Sequence, residues 1–227
     1  MIRYRNWHQT TTKADLLKPL FKRWHRVLSS ATTRLARCRY PDHPYWYDER
    51  TQVGWLALAA HTMRWLPLQE PSVPRRKKGV GRSDLWVYSG RAGTTKVYDF
   101  EAKLADLPLH NLYKCKLFSD IDGIDGKLKR AVRQARDKKK GYEGDMAVGL
   151  VFVRLHAKKN DKKAEILRLA QKFKTHATSK KGLQDVGADF LALYFAPYKF
   201  IKRVLAHKSN KKEVPYLGVA VVGRIAG

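Results

Sequence analysis

Residues Gly81 to Lys103 read G-R-S-D-L-W-V-Y-S-G-R-A-G-T-T-K-V-Y-D-F-E-A-K. Two short apolar runs, Leu85 to Tyr88 and Val97 to Phe100, flank a turn built on Ser89, Gly90, Arg91, Ala92 and Gly93. The two glycines give the backbone the freedom a tight connection needs, so the stretch predicts a β-hairpin. Charged residues stand at its open end: Asp84 begins the first strand, and Glu101 and Lys103 close the second. Side chains alternate faces along a strand. Asp99, Glu101 and Lys103 therefore share one side, and Tyr98, Phe100 and Ala102 the other.

Glu101 and Lys103 then lie roughly 6.5–7 Å apart along the strand, with an antiparallel partner about 4.8 Å away. Asp84 is placed to face Glu101 or Lys103 across that gap. Two carboxylates meeting in this way make a hard-oxygen site suited to Mg²⁺. A lysine beside them can hold a phosphate oxygen or a water, which is the constellation that phosphodiester hydrolysis uses. The competing reading is an ordinary hairpin in which Asp84 caps a turn and Glu101 and Lys103 form a surface ion pair.

An Asp at a strand start, followed by Glu-x-Lys at the end of the next strand, resembles the PD-(D/E)XK nuclease superfamily, the restriction-endonuclease-like fold. Here the residues are Asp84 with Glu101-Ala102-Lys103, and the resemblance spans Tyr47 to about Leu155. Gly-Arg-Ser-Asp stands where the family pattern has Pro-Asp. The resemblance implies an α/β fold, with a mixed central sheet flanked by helices. It implies a Mg²⁺-dependent endonuclease, with Mn²⁺ able to substitute. Asp84, Glu101 and the Ala102 carbonyl would hold the metal. Lys103 would orient the attacking water or stabilise the pentavalent phosphorane. Glu49, on the preceding helix, would be the further carboxylate of the site.

The chain of 227 residues suffices for one large or two small domains, and 44% hydrophobic content suffices for a folded core. The net charge of +27 predicts a polyanionic partner, nucleic acid first and DNA before RNA, with an anionic membrane surface as the weaker choice. A homodimer is the other candidate association. Cys38 and Cys115 lack C-x-x-C spacing, so neither a zinc site nor a disulfide framework is expected. The first ten residues have no apolar core of a signal peptide, and no apolar run reaches the length of a membrane span. A soluble, cytoplasmic protein is expected. No P-loop, HExxH or GxSxG pattern is present in the sequence.

In chain order, residues 1–12 read as a loose polar arm, and Lys13 to Arg39 as a basic amphipathic helix with Leu16, Leu17, Leu20, Trp24, Val27, Leu28, Leu35 and Ala36 on its apolar stripe. Residues 1–40 are expected to form a helical arm beside a nuclease-like domain over 41–227. A largely apolar helix follows from about Asp48 to Leu66, with Asp48 and Glu49 in its first turn, where negative charge suits the helix dipole. Glu49 also shares a face with Val53 and Leu56, so capping and metal ligation both fit it. Gln52 is a weaker candidate. Pro67 to Gly81 reads as a breaker-rich loop, which leaves no strand between this helix and Asp84, where the family core has one. Its Arg75-Arg76-Lys77-Lys78 run, with Arg82, is expected to bind phosphates.

After Lys103 the chain reads as irregular to Phe118. Asp120 and Asp122 have no assigned role, and Asp125 is placed to cap the next helix. That helix, Gly126 to about Lys140, is basic outside an apolar stripe, and Arg130, Arg133 and Gln134 are candidates for nucleic-acid contact. Strands are predicted over Ala147 to Leu155, Asp189 to Ala196 and Val214 to Ile225, with a helix over Asp161 to Thr175. The runner-up function is a non-catalytic nucleic-acid adaptor on the same fold. A protein that binds anionic membranes through its first helix is third.

Overall fold

The computed structural model describes residues 7–38, 43–75, 79–90, 96–110, 123–139, 146–158, 163–177, 179–197, 199–201 and 216–226. In order these form β1 (Trp7–Gln9), a 3-10 turn (Thr12–Leu16), α1 (Lys18–Arg37), α2 (Glu49–Thr62), β2 (Leu66–Gln69), β3 (Ser72–Arg75), β4 (Gly79–Arg82), β5 (Leu85–Ser89), β6 (Lys96–Pro108), α3 (Ile124–Lys139), β7 (Met146–His156), α4 (Lys163–Ala177), α5 (Lys180–Asp185), β8 (Phe190–Phe195) and β9 (Tyr216–Ile225). Seven strands make one mixed sheet in the order β1-β8-β9-β7-β6-β5-β2. β6 and β7 are its parallel pair, and α3 lies in the chain between them, as a parallel crossover requires. The other pairings in the sheet are antiparallel. β3 and β4 form a separate two-stranded ribbon. The α/β class and the mixed sheet flanked by helices agree with the expectation.

Two glycines on neighbouring positions tell the faces of the sheet apart. Gly149 on β7 lies opposite Glu101 on β6, and residues paired in register point to the same side. A Cβ on Gly149 would lie 2.5 Å from the Val132 nitrogen of α3. Glu101 therefore points to the face that α3 covers. One position on, Leu150 pairs with Ala102 and with Gly223. A Cβ on Gly223 would strike the Phe190 ring, which stands 5.1 Å from Phe21 of α1. The Ala102 face is thus the one under α1.

The helix α1 buries Leu20, Phe21, Trp24, Leu28, Thr32 and Ala36, a stripe at helical period. Thr32 keeps its polarity satisfied by accepting from the Tyr194 hydroxyl at 2.8 Å. The stretch expected to be an arm is not set apart: β1 pairs with β8, and α1 contributes to the same core cluster as the sheet strands. Residues 1–6, 39 and 40 of that stretch lie outside the described residues.

Three element assignments are corrected. First, Pro67 to Gly81 is not a loop throughout. β2 begins at Leu66 and pairs with β5, and β3 and β4 follow. β2 is the sheet edge, where a proline is tolerated because no ladder bond needs its missing N–H. Second, β6 does not end at Lys103. It continues to Pro108 alongside β7. The ladder sets Asp106 opposite Arg154, which binds it through Nε at 2.8 Å and Nη2 at 2.6 Å. Arg154 Nη1 also donates to Trp46 O at 2.6 Å, holding the connector that leads into α2. Third, Asp125 does not cap α3. It sits inside the first turn and accepts from Lys129 Nζ at 2.6 Å.

Candidate active site at the open edge of β6

The ladder between β5 and β6 ends at the pair Leu85 and Phe100, yet β6 runs on for eight more residues. Peptide groups of alternate residues face the same side of a strand, so beyond Phe100 those of Ala102 and Leu104 face the side that β5 has left. Buried or half-buried peptide groups need partners. Charged side chains supply them. Asp84 Oδ2 accepts from Ala102 N at 2.7 Å. Lys103 Nζ donates to Ala102 O at 2.6 Å. The Glu49 carboxylate lies beside the Leu104 N–H, which favours its charged form. Lys127 Nζ donates to Leu104 O at 2.6 Å. Lys103 Nζ lies 3.8 Å from Glu49 Oε1 and so joins the two halves of the cluster.

Each of these side chains is brought in by its own element. Glu49 opens α2. Asp48 is the N-cap, with extended backbone and an Oδ1 that accepts from Thr51 N at 2.9 Å. Capping is therefore done by Asp48, and Glu49 turns to Lys103 and Leu104. Burial raises the Glu49 pKa above the ordinary carboxylate value. The Lys103 charge opposes that rise, and the Asp84 charge adds to it. Asp84 follows a pinned residue: buried Ser83 donates through its hydroxyl to Asp99 and through its N–H to Pro71 O at 3.1 Å. The Asp84 carbonyl accepts from Glu70 N at 3.3 Å. These bonds fix the chain at the point where β5 leaves β6.

Of the residues proposed from the sequence, Asp84, Glu49, Lys103 and the Ala102 carbonyl come together at this edge. Glu101 lies on the same strand, is 4% exposed and points to the α3 face. Among the described residues, no group of three or more His, Cys, Asp or Glu side chains is arranged to hold a metal ion. A cation here would depend on the Ala102 carbonyl as well as on carboxylates. Arg82 is exposed and pairs with Glu70, at 3.4 Å. Arg75 lies in β3 by its backbone, while Arg76, Lys77, Lys78, Asp120 and Asp122 lie outside the described residues. On α3, Arg130 is partly buried, and Arg133 and Gln134 are exposed. Gln52 is buried within α2.

Sequence reasoning missed Lys127 as a member of the cluster. Its signal was slight: one basic residue among many on α3, set apart only by standing in the first turn of the crossover helix. Among the described residues, no helix is long and apolar enough to cross a membrane. In comparison with known proteins, the chain matches no family model, no curated protein and no solved structure.

Proposed function

We propose that this chain is a metal-dependent nuclease of the PD-(D/E)XK kind, with a restriction-endonuclease-like core and DNA as its favoured substrate. The observation that carries the reading is the meeting of Asp84, Glu49 and Lys103 on the Ala102 and Leu104 peptide groups where β5 and β6 part. The topology supports it. α2 is followed by the antiparallel strands β2, β5 and β6, then by the crossover α3 and the parallel strand β7. β2 occupies the place between the first helix and Asp84 where the family core has a strand.

The donors at the edge are hard oxygens, the kind Mg²⁺ takes. Lys103 already sets its positive charge against Ala102 O and Glu49, so a metal would share these oxygens with the ammonium or displace it. Asp84, Glu49 and the Ala102 carbonyl would hold the metal, Mg²⁺ or Mn²⁺, and Glu101 would have to turn toward them from the α3 face to join. When bound, it would polarise a phosphate and lower the pKa of a water. Lys103, one residue from the Ala102 carbonyl, orients that water or steadies the charge that develops on the phosphorane. The +27 charge gathers the polyanion and contributes little to the choice of bond.

A non-catalytic nucleic-acid adaptor is the second reading, favoured by the Lys103–Glu49 contact and by the lack, among the described residues, of a three-ligand metal group. Plasmid, linear, single-stranded and branched DNA, and RNA, incubated with and without Mg²⁺, separate the two. The nuclease reading expects Mg²⁺-dependent cleavage of at least one DNA. It expects Lys103→Ala to lower that rate about 100-fold or more, with binding nearly unchanged. Excess Mg²⁺ should partly restore Glu101→Ala and leave Lys103→Ala inactive. Binding without cleavage of any substrate establishes the adaptor reading instead.

A further inference from the structure

The two lysines of the cluster stand in a repeat. Lys103 Nζ is 2.6 Å from Ala102 O, and Lys127 Nζ is 2.6 Å from Leu104 O. These carbonyls belong to alternate residues on one side of one strand, about 6.6–7 Å apart. Each ammonium is anchored to its carbonyl, so the two positive charges follow one another along the edge of β6. Neighbouring phosphates on one nucleic-acid strand are separated by a comparable distance. The lysines also come from independent elements, Lys103 from β6 and Lys127 from α3. Both act on the Glu49 carboxylate that lies with them.

We infer that Lys127 is a second phosphate-binding residue of the site, holding the phosphate next to the one that Lys103 faces. This rests on the nuclease reading and narrows its substrate class. The preferred bond is an internal phosphodiester with a charged neighbour on the same strand, and an isolated phosphodiester is a poorer substrate. A lysine anchored through one of its three donors keeps two N–H groups for an anion. Lys127 is partly exposed, so a strand drawn along the edge can reach it. α3 thus has two tasks here. Its apolar stripe packs on the sheet, and its first turn sets the register of the substrate strand.

The test is a cycle between protein and substrate. Cleavage of a short DNA by the full chain is measured with all phosphates present, and with a neutral methylphosphonate placed in turn at each position flanking the cut. Lys127→Ala is measured on the same set. Loss of one charge-assisted contact predicts a fall of about 10- to 100-fold for Lys127→Ala on the all-phosphate DNA. One flanking methylphosphonate should cost the parent a similar factor, and the two changes together should cost no more than either alone. Equal losses from Lys127→Ala on every substrate would show that the lysine only supports Leu104 and Glu49, and would overturn the assignment. No loss on any substrate overturns it as well. Failure of the parent protein to cut any of these DNAs with Mg²⁺ present removes the nuclease reading and this assignment together.

Discussion

Gly149→Ala is the sharpest test of the packing that carries the site. The added Cβ would lie 2.5 Å from Val132 N and 2.9 Å from Val132 Cα, both backbone atoms of α3. An ordinary contact begins near 3.4 Å, so the helix must retreat by about 0.9 Å at this point. It cannot retreat alone, because Leu128, Ala131, Val132 and Ala135 are all buried with it. Overpacking of this kind costs about 1–3 kcal/mol, and a clash against backbone belongs at the upper end. Replacing glycine also restricts the unfolded chain, which returns about 0.4–1 kcal/mol. A net loss of about 2 kcal/mol should remain, lowering Tm by about 4–8 °C for a chain of this size. Thermal and urea unfolding of the purified variant measure it. A midpoint equal to that of the parent would refute the close seating of α3 on β7, and with it the argument that Glu101, paired with Gly149, faces the helix.

Three further outcomes are expected. Burial raises the Glu49 pKa above its ordinary 4.5, so the protonated form is favoured by folding; its stabilising contribution is full below the unfolded value and is lost as pH rises through the folded one. Glu49→Gln cannot ionise, so without metal its stability relative to the parent should increase between about pH 4 and about pH 8 in urea unfolding, and a decrease over that range would contradict the burial argument. Arg154→Ala removes the bidentate bond to Asp106 and the bond to Trp46 O, and should destabilise by about 1–3 kcal/mol, a discounted figure because Asp106 is 44% exposed. A loss below about 0.5 kcal/mol would mean that this clamp does not hold the entry to α2. Binding to duplex DNA without metal should weaken steeply with salt, roughly 10³-fold between about 50 and 200 mM if six phosphates are contacted, and a constant that is flat over that range would exclude counterion release as the driving force.

The legible elements were those whose own composition declared them. β7, β8 and β9 are buried apolar runs, and their predicted limits lie within two residues of those observed. The β5–β6 hairpin was announced by Gly90, which does take a positive φ of 106°. β2 was hidden for a physical reason. An edge strand accepts Pro67, and its leucines, Leu66 and Leu68, are 58% and 39% exposed, so no apolar alternation marks it. The far half of β6 was hidden by Asp106, a charge that looks out of place until its partner 48 residues away is known. Asp48 and Glu49 could not be told apart because both stand in the first turn, and only backbone geometry shows which one caps.

The cluster follows from a mismatch of lengths. β6 has thirteen residues, while β5 pairs with only five of them, so a longer strand is left with peptide groups that no strand among the described residues serves on that side. Apolar side chains cannot satisfy an N–H or a C=O, so the gap calls for carboxylates at the amides and ammonium groups at the carbonyls. Asp84 takes the Ala102 amide and Glu49 lies beside that of Leu104; Lys103 and Lys127 take the two carbonyls. An ordinary loop or a covering strand would have met the same demand with neutral backbone and left no charge at the edge. Here opposite charges are held alternately along one strand by bonds that the fold requires for its own stability. Each of the four is therefore fixed before any ligand arrives, and such prior ordering is what lets a site act on a transition state without reorganising. The charges that complete the sheet are, on the reading proposed, the charges that would bind metal and phosphate.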